Sequence, residues 1–564
     1  MTAADFVARW LKQRQIGEVF ELSGGTIGHL LDAFARSDLR VLEMHHEQSA
    51  AFAACGLAQM RGRPAVAVAA GGPGALNLVS GIAAAFYDSV PLLAITGQVQ
   101  SYLRRGDRAV RQWALQETDF RRVIAPVAKA VFTADAPGDV PRLMESAYRA
   151  AVSGRPGPAV VELPFDVQGG DVPEGIHAPP PEVDDIAPDS AEEWIGPLLA
   201  SARPLVLAGG GLRGAGGARL FREWIERMGV PAVATIRALD LLPGGHPLRV
   251  GLAGIYGVRA ANRAIAECDC LLVLGSRLDH GLTAGNDLWL GRGRTVIQVD
   301  RDAGELGARV RRTIQVRADL RRFLSLALER GDDPPAGWND WRRRVRALTE
   351  QHPPDEERPA RADAIDPNRF LRRLSERSPR AVAFVADAGQ HTWWAAQSLS
   401  LSEGVRFLTT PGLLAMGYAL PAAIGVAFGE RAPVVAVIGD GGMQLQIQEL
   451  QTIARAQLPV KVVVLNNRCH GLVRQFQDEH FGGRYAATVS GYDTPDFARV
   501  ASAYGVEGRA IGSPAEIEDA IGALWSDPAR PAVLEVAIPL ETAVWPFVPF
   551  GAGLGQMRPE RETR

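Results

Sequence analysis

Cysteine is scarce. Cys55, Cys268, Cys270 and Cys469 are the only four in 564 residues, and none stands in C-x-x-C spacing. That excludes a disulfide framework or a thiolate zinc site as the organising principle. Neither sign of charge is in excess: a net charge of −3 gives no electrostatic footprint for nucleic acid or an anionic membrane surface. No run of about 18 apolar residues occurs, so no transmembrane helix is expected. Residues 1–15 carry Asp5, Arg9, Lys12 and Arg14 among apolar residues at helical spacing, and read as an amphipathic helix without a signal-type apolar core. The expected location is the cytoplasm.

What is present is ordinary globular material, 47% hydrophobic and 22% charged, in a chain too long for one core. Two Pro-rich, charged stretches, 169–189 and 331–367, read as linkers, although 338–349 has a helical pattern. They divide the chain into residues 1–168, 190–330 and 365–545, with a C-terminal tail at 546–564. Each part alternates amphipathic windows with short continuous apolar runs, such as 65–68, 92–95, 204–207, 271–274, 434–438 and 462–465. Continuous apolar strands between helices belong to parallel sheets covered on both faces. The expected fold class is α/β, with three doubly wound parallel-sheet domains.

The most specific local pattern starts at the end of the run 434–438. It reads Gly439-Asp440-Gly441-Gly442, then 24 residues after Gly441, then Asn466-Asn467 at the end of a second apolar run. Ligands of parallel α/β sheets bind beyond the carboxyl ends of strands, and here both strand ends offer oxygen donors, the Asp440 carboxylate and the Asn467 amide. Mg2+ takes such hard ligands, commonly shared with phosphates. The glycines let backbone N–H groups and a helix N-terminus approach a diphosphate.

This pattern resembles the signature of the thiamine diphosphate (ThDP) enzyme superfamily, and the likeness to its acetolactate synthase branch covers nearly the whole chain. The resemblance implies Mg2+ held by Asp440, Asn467 and the backbone carbonyl of Cys469, and a diphosphate site built from Gly389, Gln390, His391, Gly439, Gly441, Gly442, Met443, His470, Gly471 and Leu472. Residues 413–425 resemble the segment that bends the cofactor, with Leu414 and Met416 against it. Glu47 resembles the carboxylate that shares a proton with the aminopyrimidine, a role suited to a partly buried acid. Gly25, Pro73 and Asn77 match the loops that position the pyrimidine ring. Gln116 corresponds to a residue facing the reacting carbon. His46 is a further catalytic candidate, a helix-start role being the alternative for it and for His45. By the same resemblance the two cofactor halves come from different subunits, which implies a homodimer or homotetramer.

In the central part, Gly209-Gly210-Gly211-Leu212-Arg213-Gly214 follows an apolar run and fits G-x-G-x-x-G, but no clear acidic partner lies about 20 residues on. Thr235 and the segments 251–257, 275–279 and 299–302 resemble the FAD domain of acetolactate synthases. Flavin-free relatives keep much of this, so FAD, as a structural group, stays open.

Three departures from the branch bear on the substrate. Gly281 stands where the branch has an arginine for the acceptor's carboxylate, which removes a bidentate fork. Phe476 replaces an acceptor-selecting tryptophan. Residues 99–115 form a longer loop with Arg104, Arg105, Arg108 and Arg111, read either as a solvated loop or as an anion-binding entrance. These features point to a carboligase that decarboxylates a 2-oxo acid donor, pyruvate foremost, and passes the acyl unit to a carbonyl acceptor other than a standard 2-oxo acid. The alternatives are acetolactate synthase proper, a non-ligating 2-oxo acid decarboxylase and a pyruvate-oxidase-like flavoenzyme.

Overall fold

The computed structural model describes residues 1–173, 186–188, 192–357 and 363–560. The apolar runs become three six-stranded sheets, and every neighbouring pair of strands is parallel. The first sheet holds β1 (Glu18–Leu22), β2 (Arg40–Glu43), β3 (Ala65–Ala69), β4 (Leu92–Gln98), β5 (Ala130–Thr133) and β6 (Pro158–Pro164). The second holds β7 (Pro204–Ala208), β8 (Ala232–Ala234), β9 (Arg249–Leu252), β10 (Cys270–Leu274), β11 (Thr295–Asp300) and β12 (Ile314–Arg317). The third holds β13 (Ala383–Ala386), β14 (Arg406–Leu408), β15 (Val434–Gly439), β16 (Val460–Asn466), β17 (Glu507–Ile511) and β18 (Ala532–Ala537). Helices cover both faces of each, which is why these strands carry no polar alternation.

Strand order locates the crevices. The first sheet runs β2-β1-β3-β4-β6-β5 and the third repeats that pattern as β14-β13-β15-β16-β18-β17. The second, read as β9-β8-β7-β10-β11-β12, has the order of a dinucleotide-binding sheet. The second order reverses once, between β7 and β10; the first and third reverse between β1 and β3 and between β13 and β15, and again at one edge, where β5 lies outside β6 and β17 outside β18. Loops diverge at such a point and leave a crevice beyond the strands' carboxyl ends.

The first and third sheets are joined through helices Glu47–Arg61 and Ala419–Glu430, whose buried residues form one continuous core. Small side chains allow the backbones to touch. A Cβ at Gly56 would stand 2.6 Å from the Ala422 carbonyl oxygen, and one at Gly425 would collide with that of Ala53.

Described residues of the stretch 331–367 and of the C-terminal tail pack into the central core. Much of 169–189 lies outside the described residues, but 331–367 contains the helix Trp338–Gln351. Trp338 and Trp341 of that helix are buried, and their indole N–H groups donate to the carbonyls of Ser201 (2.8 Å) and Pro204 (2.7 Å). The tail beyond residue 545 packs Val548, Leu554 and Met557 into the central core. Arg259 makes a buried bidentate pair with Glu357 at 2.9 Å and also donates to the Pro559 carbonyl. Breaking one partner of such a pair costs about 3–5 kcal/mol. No helix among the described residues is long and apolar enough to cross a membrane.

Glu21, on β1, is buried with Oε2 unpartnered, and burial, reinforced by Glu43, pushes its carboxyl up to about 7. A folded-state value above the unfolded one means that the native state binds the proton more tightly, so stability is full below about pH 4.5 and falls as pH rises towards 7. Glu21→Gln should flatten that fall. Denaturant unfolding at pH 5 and pH 8 checks it; an unchanged slope would show that Glu21 ionises without cost.

Candidate active site

In the third domain the reversal between β13 and β15 collects most of the diphosphate residues expected from sequence. β13 ends in Asp387, Ala388 and Gly389, and the helix Gln390–Ser398 follows; β15 ends at Gly439 and runs into the helix Asp440–Leu445; β16 delivers Asn467. His391 is buried, with burial pushing its imidazole down to about 3, so it is neutral at physiological pH, and its Nε2 has no partner. Two glycines make room for the ring: a Cβ at Gly439 would lie 2.8 Å from its Nδ1, and one at Gly389 2.6 Å from its Cε1.

Asp440 accepts from the Gly441 N–H through Oδ1 at 2.8 Å, while its buried Oδ2 has no partner. Burial raises this carboxyl to about 6, against the pull of the backbone N–H groups of Gly441, Cys469 and Arg468. Asn467 donates through Nδ2 to Gln390 Oε1 at 3.0 Å, which turns its carbonyl oxygen away from Gln390, an orientation assigned from this bond network. Gln390 is held in turn by Gln475 and the Thr542 carbonyl. The Cys469 thiol is buried and pushed up to about 11, so only its main-chain carbonyl is a plausible hard donor. A carboxylate oxygen, an amide oxygen and a main-chain carbonyl are hard donors of the kind that Mg2+ takes. Among the described residues no cluster of three His, Cys, Asp or Glu side chains offers an alternative metal site.

The remaining expected residues of this half fall around the same crevice. A Cβ at Gly441 would stand 3.1 Å from both the Met416 methyl and His470 Cε1, and the His470 ring packs against Tyr492 at 4.4 Å, tilted by 57°. Gly471 admits no side chain, because one would collide with Gln390 and Asn467. Leu414 and Leu472 face the central cleft described below. The Met443 side chain is wholly buried in the core, which leaves its backbone for a ligand.

The first domain builds the other half at the reversal between β1 and β3. Glu47 opens the helix Glu47–Arg61 and is half-buried, and Asn77 Nδ2 donates to its Oε2 at 2.9 Å. Gly74 lies beneath the carboxylate, a Cβ there being 3.0 Å from Glu47 Oε1. Pro73 starts the short helix Pro73–Asn77 after Gly72, whose φ of +66° suits glycine. Gln116, itself at φ +63°, packs its backbone on Gly72 and so stands beside Glu47's loop. Gly25 is exposed in the turn after β1. His46 caps the helix: its Nδ1 accepts the Gln48 N–H at 3.0 Å. His45 bonds through Nδ1 to Thr452 Oγ1 at 2.9 Å. Both histidines thus carry structural bonds, and the His46 side chain already has its partner. Among the described residues no hydrogen bond joins Glu47, Asn77 or Gln116 to Asp440, Asn467 or His391.

The loop 99–115 is folded on itself. Glu117 accepts from the backbone N–H groups of Arg105, Trp113 (2.8 Å) and Ala114. Arg104 pairs with Asp135, Arg105 with Asp119, and Arg108 lies over Trp113 while donating to main-chain carbonyls. Three of the four arginines are therefore engaged, which weakens the anion-entrance alternative.

The reversal between β7 and β10 opens a cleft of ≈650 Å3 reaching Tyr87–Ser89 of the first domain and Trp393, Gly412, Leu414 and Leu472 of the third. Gly209 and Gly211 sit against Gly275 with no room for a side chain. Arg155, Arg237, Arg277, Arg301 and Arg309 face the cleft, with Asp300 at the end of β11. Glycine-lined walls with arginines at a dinucleotide-type switch point suit a phosphate-bearing cofactor, although Asp279 and Glu305 pair with Arg277 and Arg309 there. At Gly281, which also faces the cleft, an added Cβ would meet only Asp279 Oδ1, at 3.3 Å.

Asp440→Ala should keep the fold but abolish Mg2+-dependent retention of ThDP through gel filtration. Normal retention would contradict a metal site at Asp440.

Comparison with known proteins identifies three domains along the chain. Residues 1–123 match the thiamine pyrophosphate enzyme N-terminal TPP binding domain, 192–326 the central domain and 387–536 the C-terminal TPP binding domain. The chain is 34% identical over 561 residues to acetolactate synthase isozyme 2 large subunit of Escherichia coli (strain K12), covering 99% of each. It is 33% identical to acetolactate synthase large subunit of Lactococcus lactis subsp. lactis (strain IL1403), covering 99% of this chain and 96% of that one. The chain therefore belongs to the thiamine pyrophosphate enzyme family, as a ThDP-dependent carboligase of the acetolactate synthase type.

Proposed function

We propose that this enzyme decarboxylates one 2-oxo acid, pyruvate foremost, and joins the resulting acyl unit to a second 2-oxo acid, as an acetolactate synthase does. The observation that supports this reading is a pair of buried polar atoms without partners, Asp440 Oδ2 and His391 Nε2, on the segments that follow β15 and β13, with the Asn467 amide N–H taken up by Gln390. Leaving such atoms unsatisfied is costly unless a ligand completes them. Asp440, Asn467 and the Cys469 carbonyl would hold Mg2+; neutral His391 and the backbone at 439–442 would hold the diphosphate; Glu47, steadied by Asn77, would share a proton with the pyrimidine. Bound there, ThDP supplies the electron sink for cleaving a bond next to a carbonyl. Met416 and Leu414 support the cofactor's bend, and Gln116 orients the substrate beside Glu47. FAD is the cofactor that the central cleft's size, glycine contacts and arginines favour, in the structural role that the resemblance implies.

Catalysis is proposed to need a homodimer or homotetramer, with Glu47 of one subunit working on cofactor held by Asp440 of another. The exposed apolar residues Leu76, Leu115, Met416, Leu445 and Phe476, all on segments bordering the two halves, support a covered surface there. Mixing Glu47→Gln subunits with Asp440→Ala subunits should then restore activity that neither has alone. Absence of recovery in a verified mixed assembly would place both halves on one chain.

A second reading, an acceptor other than a standard 2-oxo acid, rests on Gly281. The neighbouring guanidiniums are engaged, Arg277 with Asp279 and Arg309 with Glu305, so neither stands free to replace an arginine at 281. Pyruvate with Mg2+ and ThDP should yield acetolactate, identified by mass spectrometry, and Gly281→Arg should lower KM for the acceptor acid. Pyruvate consumed only when a ketone or aldehyde is added, with Gly281→Arg abolishing that product, would establish the second reading instead.

A further inference from the structure

Between residues 410 and 419 the chain forms an arch with a buried carboxylate at each foot. At one foot Thr410 Oγ1 donates to Asp88 Oδ2 at 2.8 Å and the Gly412 N–H to Asp88 Oδ1 at 3.1 Å. At the other, the N–H groups of Gly417 and Ala419 donate to the two oxygens of Asp387, at 2.8 and 2.9 Å. The crown projects apolar side chains outward: Leu413, Leu414 and Met416 are 40%, 39% and 36% exposed. Leu414 sits at φ +50°, a conformation that a leucine keeps only when its surroundings impose it, and its N–H closes the turn onto the Thr410 carbonyl at 2.8 Å.

The two feet belong to different domains. Asp387 ends β13 and lies in the same domain as the arch, whereas Asp88 comes from the first domain. There is no slack at the Asp88 foot, since a Cβ at Gly412 would lie 2.9 Å from Tyr87 Cβ and 3.0 Å from Asp88 Oδ1. Asp88 is itself fixed from the central domain. Arg237 donates to its main-chain carbonyl and holds a guanidinium 3.8 Å from Oδ1. Burial raises the Asp88 carboxyl above its ordinary value, with Arg237, Thr410 and Gly412 opposing. A charged group kept dry in this way is expensive unless its bonds are used, and what they hold is the arch.

We infer that Asp88 is a positioning residue for ThDP: by pinning residues 410–412 from the neighbouring domain, it sets the height at which Leu414 and Met416 meet the cofactor. This rests on the cofactor reading above. Neither Asp88 nor Thr410 touches the cofactor in that reading, so their effect must pass through the arch.

The test is ThDP binding to the full-length protein with saturating Mg2+, followed by quenching of intrinsic fluorescence, in wild type, Asp88→Asn, Thr410→Val and Thr410→Ser. Asn can accept only one of the two bonds with its single oxygen, so Asp88→Asn should weaken ThDP about tenfold, the loss of roughly one such bond. Thr410→Val should weaken it less, and Thr410→Ser, which keeps the hydroxyl, should match wild type. The near-ultraviolet circular dichroism of the saturated proteins should change with Asp88→Asn and Thr410→Val and not with Thr410→Ser. Wild-type affinity in Asp88→Asn, or equal losses in Thr410→Val and Thr410→Ser, would overturn the proposal. Failure of the wild type itself to bind ThDP would instead remove the cofactor reading on which it rests. Should Asp88→Asn not fold, the Thr410 pair decides alone.

Discussion

The close approach of two helices built from alanine and glycine is the contact on which the rest depends. Helix Glu47–Arg61 begins with the carboxylate of the first half-site, and helix Ala419–Glu430 follows directly from the arch that carries Met416. Where Gly56 meets Ala422 and Gly425 meets Ala53, the backbones themselves define the separation. Side chains can change rotamer and absorb a shift, but backbone against backbone cannot. One rigid contact thus fixes the placement of Glu47, of Asp387's partners Gly417 and Ala419, and of the core shared between two sheets.

Topology supplies the second layer. Each sheet reverses strand order near its middle, and the three crevices so made receive the Glu47 loops, the glycine-lined cleft and the Asp440 and Asn467 side chains. The repetition of one strand order in the first and third domains puts Gly25 and Gly389, the turns after their first strands, in equivalent positions on the two sheets. Electrostatics then divides the labour. His391 is neutral because it is dry, whereas Asp440 keeps one oxygen bonded and one open. A neutral imidazole can still donate an N–H to an anion without competing with Mg2+ for it.

Much of this was legible in the sequence because it is local. The runs 434–438 and 462–465 are strands whatever surrounds them, and Asp440 and Asn467 follow them by a fixed number of residues. What escaped depends on partners far along the chain. The charged stretch 331–367 reads as a linker until Trp341 is seen to bond Pro204, 137 residues away. Asp88 binds Thr410 and Gly412 of another domain, 322 and 324 residues away. His46 is open in the sequence between a catalytic and a helix-start role, and only the partner of its ring nitrogen, the Gln48 N–H, shows that it caps the helix. The loop arginines looked free because their acidic partners lie on other segments, at Asp119 and Asp135.

The central claim is that Glu47 is the proton-sharing carboxylate that activates bound ThDP. It is tested most directly by the exchange of the cofactor's C2 proton with solvent deuterium, followed by quenched-flow proton NMR in wild type and Glu47→Gln, each saturated with ThDP and Mg2+. The account predicts rapid exchange in the wild type and exchange slower by about a hundredfold or more in the variant, at equal cofactor content. Equal exchange rates in the two proteins would contradict it.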